Sequence, residues 1–114
     1  RARIAAGDAE GAITPLRRHV DARPQDVRGL LALAAAYDLT GRTADAAPLY
    51  DRAEALAPAD PAVLNNKALS LALAGRLEES ARLLRRASAL GQAPAKVKGN
   101  LALVEDLRRE EKNP

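Results

Sequence analysis

Apolar residues recur along this chain at spacings of three and four, and glycines or prolines punctuate the series. Leu30, Leu33, Ala34 and Tyr37 form one stripe at helical spacing, and Gly41 follows it. Ala46, Tyr50 and Ala53 form the next stripe and run out at Pro58. Leu64, Ala68 and Leu71 repeat the first pattern before Gly75, and Leu84 and Ala87 repeat the second. Six helices are predicted. The first spans 9–22 with Asp8 as its N-cap, preceded in 1–6 by the tail of an earlier helix. The second spans 27–40 and is closed by Gly41, because a helix end often takes a left-handed residue. Thr43 caps a third over 44–57, and Asp60 with Pro61 opens a fourth that runs to 74 before Gly75. A fifth covers 77–90 and stops at Gly91; the last runs from 95 to about 111 with Val97, Leu101, Val104 and Arg108 inward.

The helices repeat as pairs. Gly7, Gly41 and Gly75 stand 34 residues apart, and in the same frame fall Ala12, Ala46 and Ser80, then Leu16, Tyr50 and Leu84, then Pro24, Pro58 and Gln92. This pattern resembles the tetratricopeptide repeat (TPR), a helix-turn-helix unit of that period. The stretch 27–60 matches the repeat at Leu30, Leu33, Ala34, Tyr37, Gly41, Ala46, Tyr50, Ala53 and Pro58; the next departs from it at Lys67 and Ser80. The expected fold is an all-α TPR solenoid of antiparallel helix pairs, a single domain over 1–114. Within it, 1–26 is a truncated first repeat, 27–60 the second, 61–94 the third, and 95–114 a capping helix and tail. Glu105 stands where the earlier pairs have Tyr37 and Leu71, and a polar outer face suits a helix that ends an array.

Composition narrows the packing and the chemistry. Hydrophobic residues reach 47% but aromatics only 2%, so Ala and Leu build the core and helices approach closely. Pro15 and Pro48 fall inside helices, and Pro15, the deeper of the two, is expected to bend its helix. Absence of Cys removes disulfides, thiolate catalysis and soft metal sites. No apolar run approaches the roughly 18 residues of a membrane span. Absence of Met predicts a piece of a longer chain, with any signal peptide or lipid-bearing Cys upstream of Arg1.

The sole histidine, His19, takes the small-residue position of Ala53 and Ala87, which predicts an exposed edge of the first unit rather than a catalytic group. Ser70, Ser80 and Ser88 have no His in their repeat, and no nucleophile elbow, metal spacing or phosphate loop occurs. Carboxylates alternate with arginines at helical spacing, as in Glu78 with Arg82 and Glu105 with Arg109, a pattern of solvated pairs. These features predict a non-enzymatic chain with no cofactor and no metal. The net charge of +3 is interspersed and lacks aromatic interleaving, which argues against nucleic acid. Arg17-Arg18 and Arg85-Arg86 read as a solvated face.

What remains is binding by shape. The TPR resemblance implies a partner-binding groove lined by Arg28, Leu31, Ala35, Asp38, Leu39, Asn65, Asn66, Leu69, Leu73, Lys96, Asn100 and Leu103. Asn66 and Asn100, one period apart, would hold a peptide backbone or else tie neighbouring helices together. A Hsp70/Hsp90-type carboxylate clamp is matched only by Asn66 and Lys96 and is not expected. The truncated first repeat is expected to expose Ile13, Leu16 and Val20 with Ala12, an interface for self-association or for a partner segment. More narrowly, the runs LLALAAAYDLTGRTADAAPLYDRA, DPAVLNNKALSLALAGRLEESARLLRRASAL and KVKGNLALVEDL resemble the TPR region of the tight-adherence (Flp) pilus assembly proteins of the TadD family. That resemblance covers about residues 28 to 107 and implies a pilotin-like lipoprotein. Such a protein sits in the periplasm on the outer membrane and helps a pilus secretin or another pilus component assemble. The alternative is a generic TPR adaptor, or a regulatory module of a larger enzyme or cytoplasmic complex.

Overall fold

The structure, a computed structural model, describes residues 6–91 and 93–113, with side chains from Asp8 onward. Among the described residues all regular structure is helical: α1 (Ala6–Ala22), α2 (Val27–Leu39), α3 (Thr43–Leu56), α4 (Pro61–Leu73), α5 (Leu77–Ala89) and α6 (Ala95–Lys112). The chain divides into two compact units, Arg1–Ala57 and Pro58–Pro114. In the first, α2 packs against α1 and α3; in the second, α5 packs against α4 and α6, and α4 also reaches α6.

The short turns explain the pairing. Gly41 and Gly75 alone among the described residues have positive φ, 78° and 80°. Each ends its helix in a Schellman motif: Gly41 N–H donates to the Asp38 carbonyl (3.0 Å) and Arg42 N–H to that of Tyr37 (2.7 Å). Gly75 and Arg76 repeat these bonds to Ala72 (3.0 Å) and Leu71 (2.9 Å). Behind the turns, Ala34, Ala46 and Ala68 are wholly buried, so backbones meet at small residues. Ser80, where an Ala was expected, is wholly buried too, and its hydroxyl donates to the Ala68 carbonyl at 2.7 Å. Leu30, Leu64 and Leu84 supply the large side chains, each worth about 1.5–3 kcal/mol of burial.

Five of the six helices begin and end within one residue of the expected positions. Asp60 caps α4 as expected, its carboxylate accepting from Ala62 N–H at 2.9 Å with Pro61 next in line. Two capping expectations fail. Thr43 lies inside α3, and the N-cap is Arg42, which reaches the Asp45 carboxylate at 3.0 Å. Arg76 does the same to Glu79 at 2.7 Å before α5, so a cation at the cap is clasped by an acid three residues on. Asp8 and Gly7 lie inside α1, which starts at Ala6. An acid suits a first helical turn through the helix dipole, so Asp8 remains favourable there without capping. The tail expected over residues 1–5 and the closing position Gln92 lie outside the described residues.

Candidate protein-interaction site

Six large apolar side chains are exposed among the described residues: Leu39, Leu56, Leu69, Leu73, Leu103 and Leu107. Five of them fall in two registers of the 34-residue period. Leu39, Leu73 and Leu107 make one; Leu69 and Leu103, with the exposed Ala35, make the other. Only Leu56 stands outside. Each register falls on the first helix of a pair, α2, α4 or α6, so one face of each carries leucine into water, Leu73 most of all at 75% exposure. An isolated exposed leucine is ordinary, but a recurring one at a fixed register marks a surface.

Within the second unit the two faces are brought together by amides. Asn100 Nδ2 on α6 donates to Asn65 Oδ1 on α4 at 2.9 Å, and Asn65 Nδ2 lies 3.5 Å from Asn66 Oδ1. Leu69 and Leu73 follow Asn65 by one and two turns of α4; Leu103 and Leu107 follow Asn100 by the same on α6. Asn65, expected to line the groove, is buried with 2% exposure and occupied by Asn100, so it fastens the helices and offers nothing to a ligand. Asn100 is half-buried and shares that fastening role; Asn66 is half-buried and Lys96 exposed. Leu107 was missed by sequence reading, although its distance of one period from Leu73 was there to be read.

In the first unit Arg28, Ala35 and Leu39 are exposed, and Leu31 and Asp38 half-buried. The Asp38 carboxylate accepts from the Tyr50 hydroxyl at 3.0 Å. Burial, with that carboxylate beside it, pushes the Tyr50 phenol well above its ordinary range. The apolar stripe expected to be exposed on α1 is narrower than its composition suggested. Ile13 and Val20 are buried, with 5% and 4% exposure, because with Ala9 they form the face that α2 covers. Leu16 remains half-buried. With Ala12, Pro15 and His19 of α1, and Ala32, Ala35, Ala36 and Leu39 of α2, it lines an open hollow of about 520 Å³.

His19 closes one end of this hollow. It is not at a bare edge: its Nε2 lies 2.5 Å from Asp26 Oδ2, and its ring rests on Gly29, where a Cβ would come within 2.7 Å of His19 Cδ2. Gly29 holds the register of Val63 and Val97, and His19 that of Ala53 and Ala87. A large residue on one helix is therefore matched by a glycine on the next. Asp26 is the N-cap of α2, but its side chain turns to His19 instead of capping. That hydrogen bond, helped by the nearby Gly29 and Arg28 N–H groups, holds its carboxyl below the usual carboxylate range.

Of the two arginine pairs, Arg17, Arg85 and Arg86 are exposed yet engaged. Arg17 donates to the Tyr37 hydroxyl at 2.6 Å while the Arg42 guanidinium lies 4.7 Å over the Tyr37 ring. Two periods on, Arg85 donates to Glu105 at 3.0 Å. Glu105 also accepts from Arg108 (2.6 Å), and Arg108 lies 3.3 Å from Glu78, so the expected pairs of Glu78 with Arg82 and Glu105 with Arg109 are replaced by ties between α5 and α6. Arg108, then Arg85, hold the Glu105 carboxyl below its ordinary range. Arg52 and Arg86, one period apart, donate to the carbonyls of Pro24 (3.0 Å) and Pro58 (3.4 Å). Among the described residues no three His, Asp or Glu side chains gather to hold a metal, and no helix is long and apolar enough to cross a membrane.

Helix pairs on a 34-residue period, closed by positive-φ glycines and bearing leucines on one face, define an all-α helical-repeat protein. Its fold is that of TPR domains. It is similar to the first TPR domain of human RPAP3 (20% identity, 95% of this chain and 86% of that one, TM-score 0.81). It is likewise similar to the Yersinia enterocolitica type III secretion translocator chaperone SycD (22%, 92% and 77%, TM-score 0.77), which has also been solved with a peptide of the translocator YopD. A third similarity is to MamA (25%, TM-score 0.77), where 93% of this chain spans 62% of that protein. No protein-family model matches the sequence, and no curated protein matches it.

Proposed function

We propose that this chain is a non-enzymatic protein-interaction scaffold that holds partner segments on the leucine-bearing faces of α2, α4 and α6. The observation that carries the reading is the register: among the described residues, five of six exposed large apolar side chains recur on the first helix of a pair. Solvent exposure of Leu73 and Leu103 adds nothing to the fold, whereas a bound apolar segment would gain about 25 cal/mol for each Å² it removes from water. The finer role we propose is that of a pilotin-like assembly factor for a tight-adherence pilus secretin. It would work in the periplasm at the outer membrane through a lipid anchor upstream of Arg1. The three sequence runs that resemble the TadD family support this part.

The test is a titration of the chain with the C-terminal segment of the pilus secretin. Saturable binding that Leu73→Glu with Leu107→Glu weakens is the expected result. Absence of binding would withdraw the pilus role, and binding indifferent to both substitutions would withdraw the leucine faces.

A further inference from the structure

The last helix, α6, is held to its unit differently from the helices beside it. Over 18 residues it buries two side chains, Val97 and Val104, whereas α5 buries six over 13. Lys98 and Glu105 stand where the earlier pairs set Leu30 and Leu64, then Tyr37 and Leu71, and Lys98 is exposed. The helical tendency of α6 itself is low. No side chain caps it at Pro94, and Gly99 lies in its interior facing open space, where Ala would be favoured by about 1 kcal/mol. Such a helix persists through its tertiary contacts.

Val97, Val104 and the half-buried Leu101 give α6 an apolar edge, and the rest of its hold is polar. Arg85 of α5 donates to Glu105 of α6 at 3.0 Å, and Arg108 of α6 lies 3.3 Å from Glu78 of α5. Arg108 joins these two rungs by donating to Glu105 at 2.6 Å. Signs alternate through the four residues, so each neighbour attracts the next. The two members on α6 are the better shielded, with side chains 18% exposed at Arg108 and 30% at Glu105. An isolated exposed ion pair contributes little, but a partly shielded network with shared members is the arrangement in which charge counts. The α4–α5 pairing runs instead through a buried apolar cluster that includes Leu64, Ala68, Leu77, Ala81 and Leu84.

We infer that α6 is a salt-sensitive latch: it opens as a unit while α4 and α5 stay paired, and the network of Glu78, Arg85, Glu105 and Arg108 sets how often it opens. Shut, it carries Leu103 and Leu107 on the helix that Asn100 fastens to Asn65 of α4; open, it leaves α4 with Leu69 and Leu73 alone. What the latch governs rests on the proposed role of the leucine faces, but the opening does not, and its test needs no partner.

The test is hydrogen exchange read by mass spectrometry on the 114-residue chain. It is run at about 0.01 M and about 1 M sodium chloride, between which the screening length falls from about 30 Å to about 3 Å. The amides of α6 should exchange faster than those of α4 and α5 at both salt concentrations. Their protection should fall at least about fivefold in high salt, while α4 and α5 keep theirs. Arg108→Gln should reproduce that loss in low salt and leave little further response to salt. Glu78→Gln removes one rung at an exposed carboxylate; it should give a smaller loss of the same kind, and it decides the matter if Arg108→Gln unfolds the unit. Arg109→Gln, whose partner Asp106 is on the same helix, should leave the salt response as it is. Exchange of α4, α5 and α6 together at one rate overturns the inference. So does an α6 that opens first with equal protection at both salt concentrations, since apolar contact alone would then hold it. Either result leaves the titration of the leucine faces standing.

Discussion

At Gly29 the absence of a methyl group leaves room for the His19 ring. A helix interior prefers Ala to Gly by about 1 kcal/mol, yet here a Cβ would strike the His19 ring. Gly29→Ala should therefore lower the melting temperature of the natural chain and raise it in a His19→Ala background. Equal shifts in the two backgrounds would separate Gly29 from His19. Asp26 carries a second expectation. Its carboxyl is depressed in the folded state, so its contribution is present above the unfolded value of about 3.9 and is lost as pH falls through the lower folded value. Thermal melts should show Asp26→Asn less stable than the natural chain near pH 5, with the gap closing as the pH falls below the unfolded carboxylate range. A gap that persists in acid would assign the loss to the helix cap instead. Neither effect was legible in the sequence. His19 could be placed in the small-residue register, but its compensating glycine lies ten positions on in another helix, and only the packing joins them.

Helices and turns were the most legible level. Period and punctuation located five helices to within a residue because Gly41, Gly75 and Asp60 each impose a local geometry that needs no tertiary knowledge. The failures came where a residue type allows two local outcomes. Gly7 shares the register of the turn glycines, but a glycine also tolerates a helix, and α1 runs through it. Thr43 can cap or enter a helix, and the Arg42–Asp45 clasp takes the cap position. The two glycine classes respond oppositely to one substitution. Gly75→Ala should cost about 1–2 kcal/mol for the left-handed residue, while Gly7→Ala should stabilise by up to about 1 kcal/mol. Chemical denaturation reads both signs directly. Destabilisation by Gly7→Ala would mean that a turn forms there after all.

Across the whole molecule, the amides and the leucines divide the expected groove between them. Asn65 and Asn100 belong to the structure, because a buried amide must find partners and these two find each other. Sequence alone left that choice open, since an Asn at this register serves a ligand or a neighbouring helix equally well. Ile13 and Val20 were misplaced for a related reason: a helix stripe reads as exposed when its own pair lacks a first helix, but the following pair supplies α2 to cover it. The leucine registers are what the fold leaves over, and the proposed binding rests on them. Leu56, exposed but out of register, supplies its control. The decisive measurement is the binding isotherm of one partner segment against the natural chain, Leu73→Glu with Leu107→Glu, and Leu56→Glu, all with matched melting temperatures. A loss of about tenfold or more is expected for the register pair and none for Leu56→Glu; equal affinity for all three, or a loss at Leu56 alone, would contradict binding on the leucine faces.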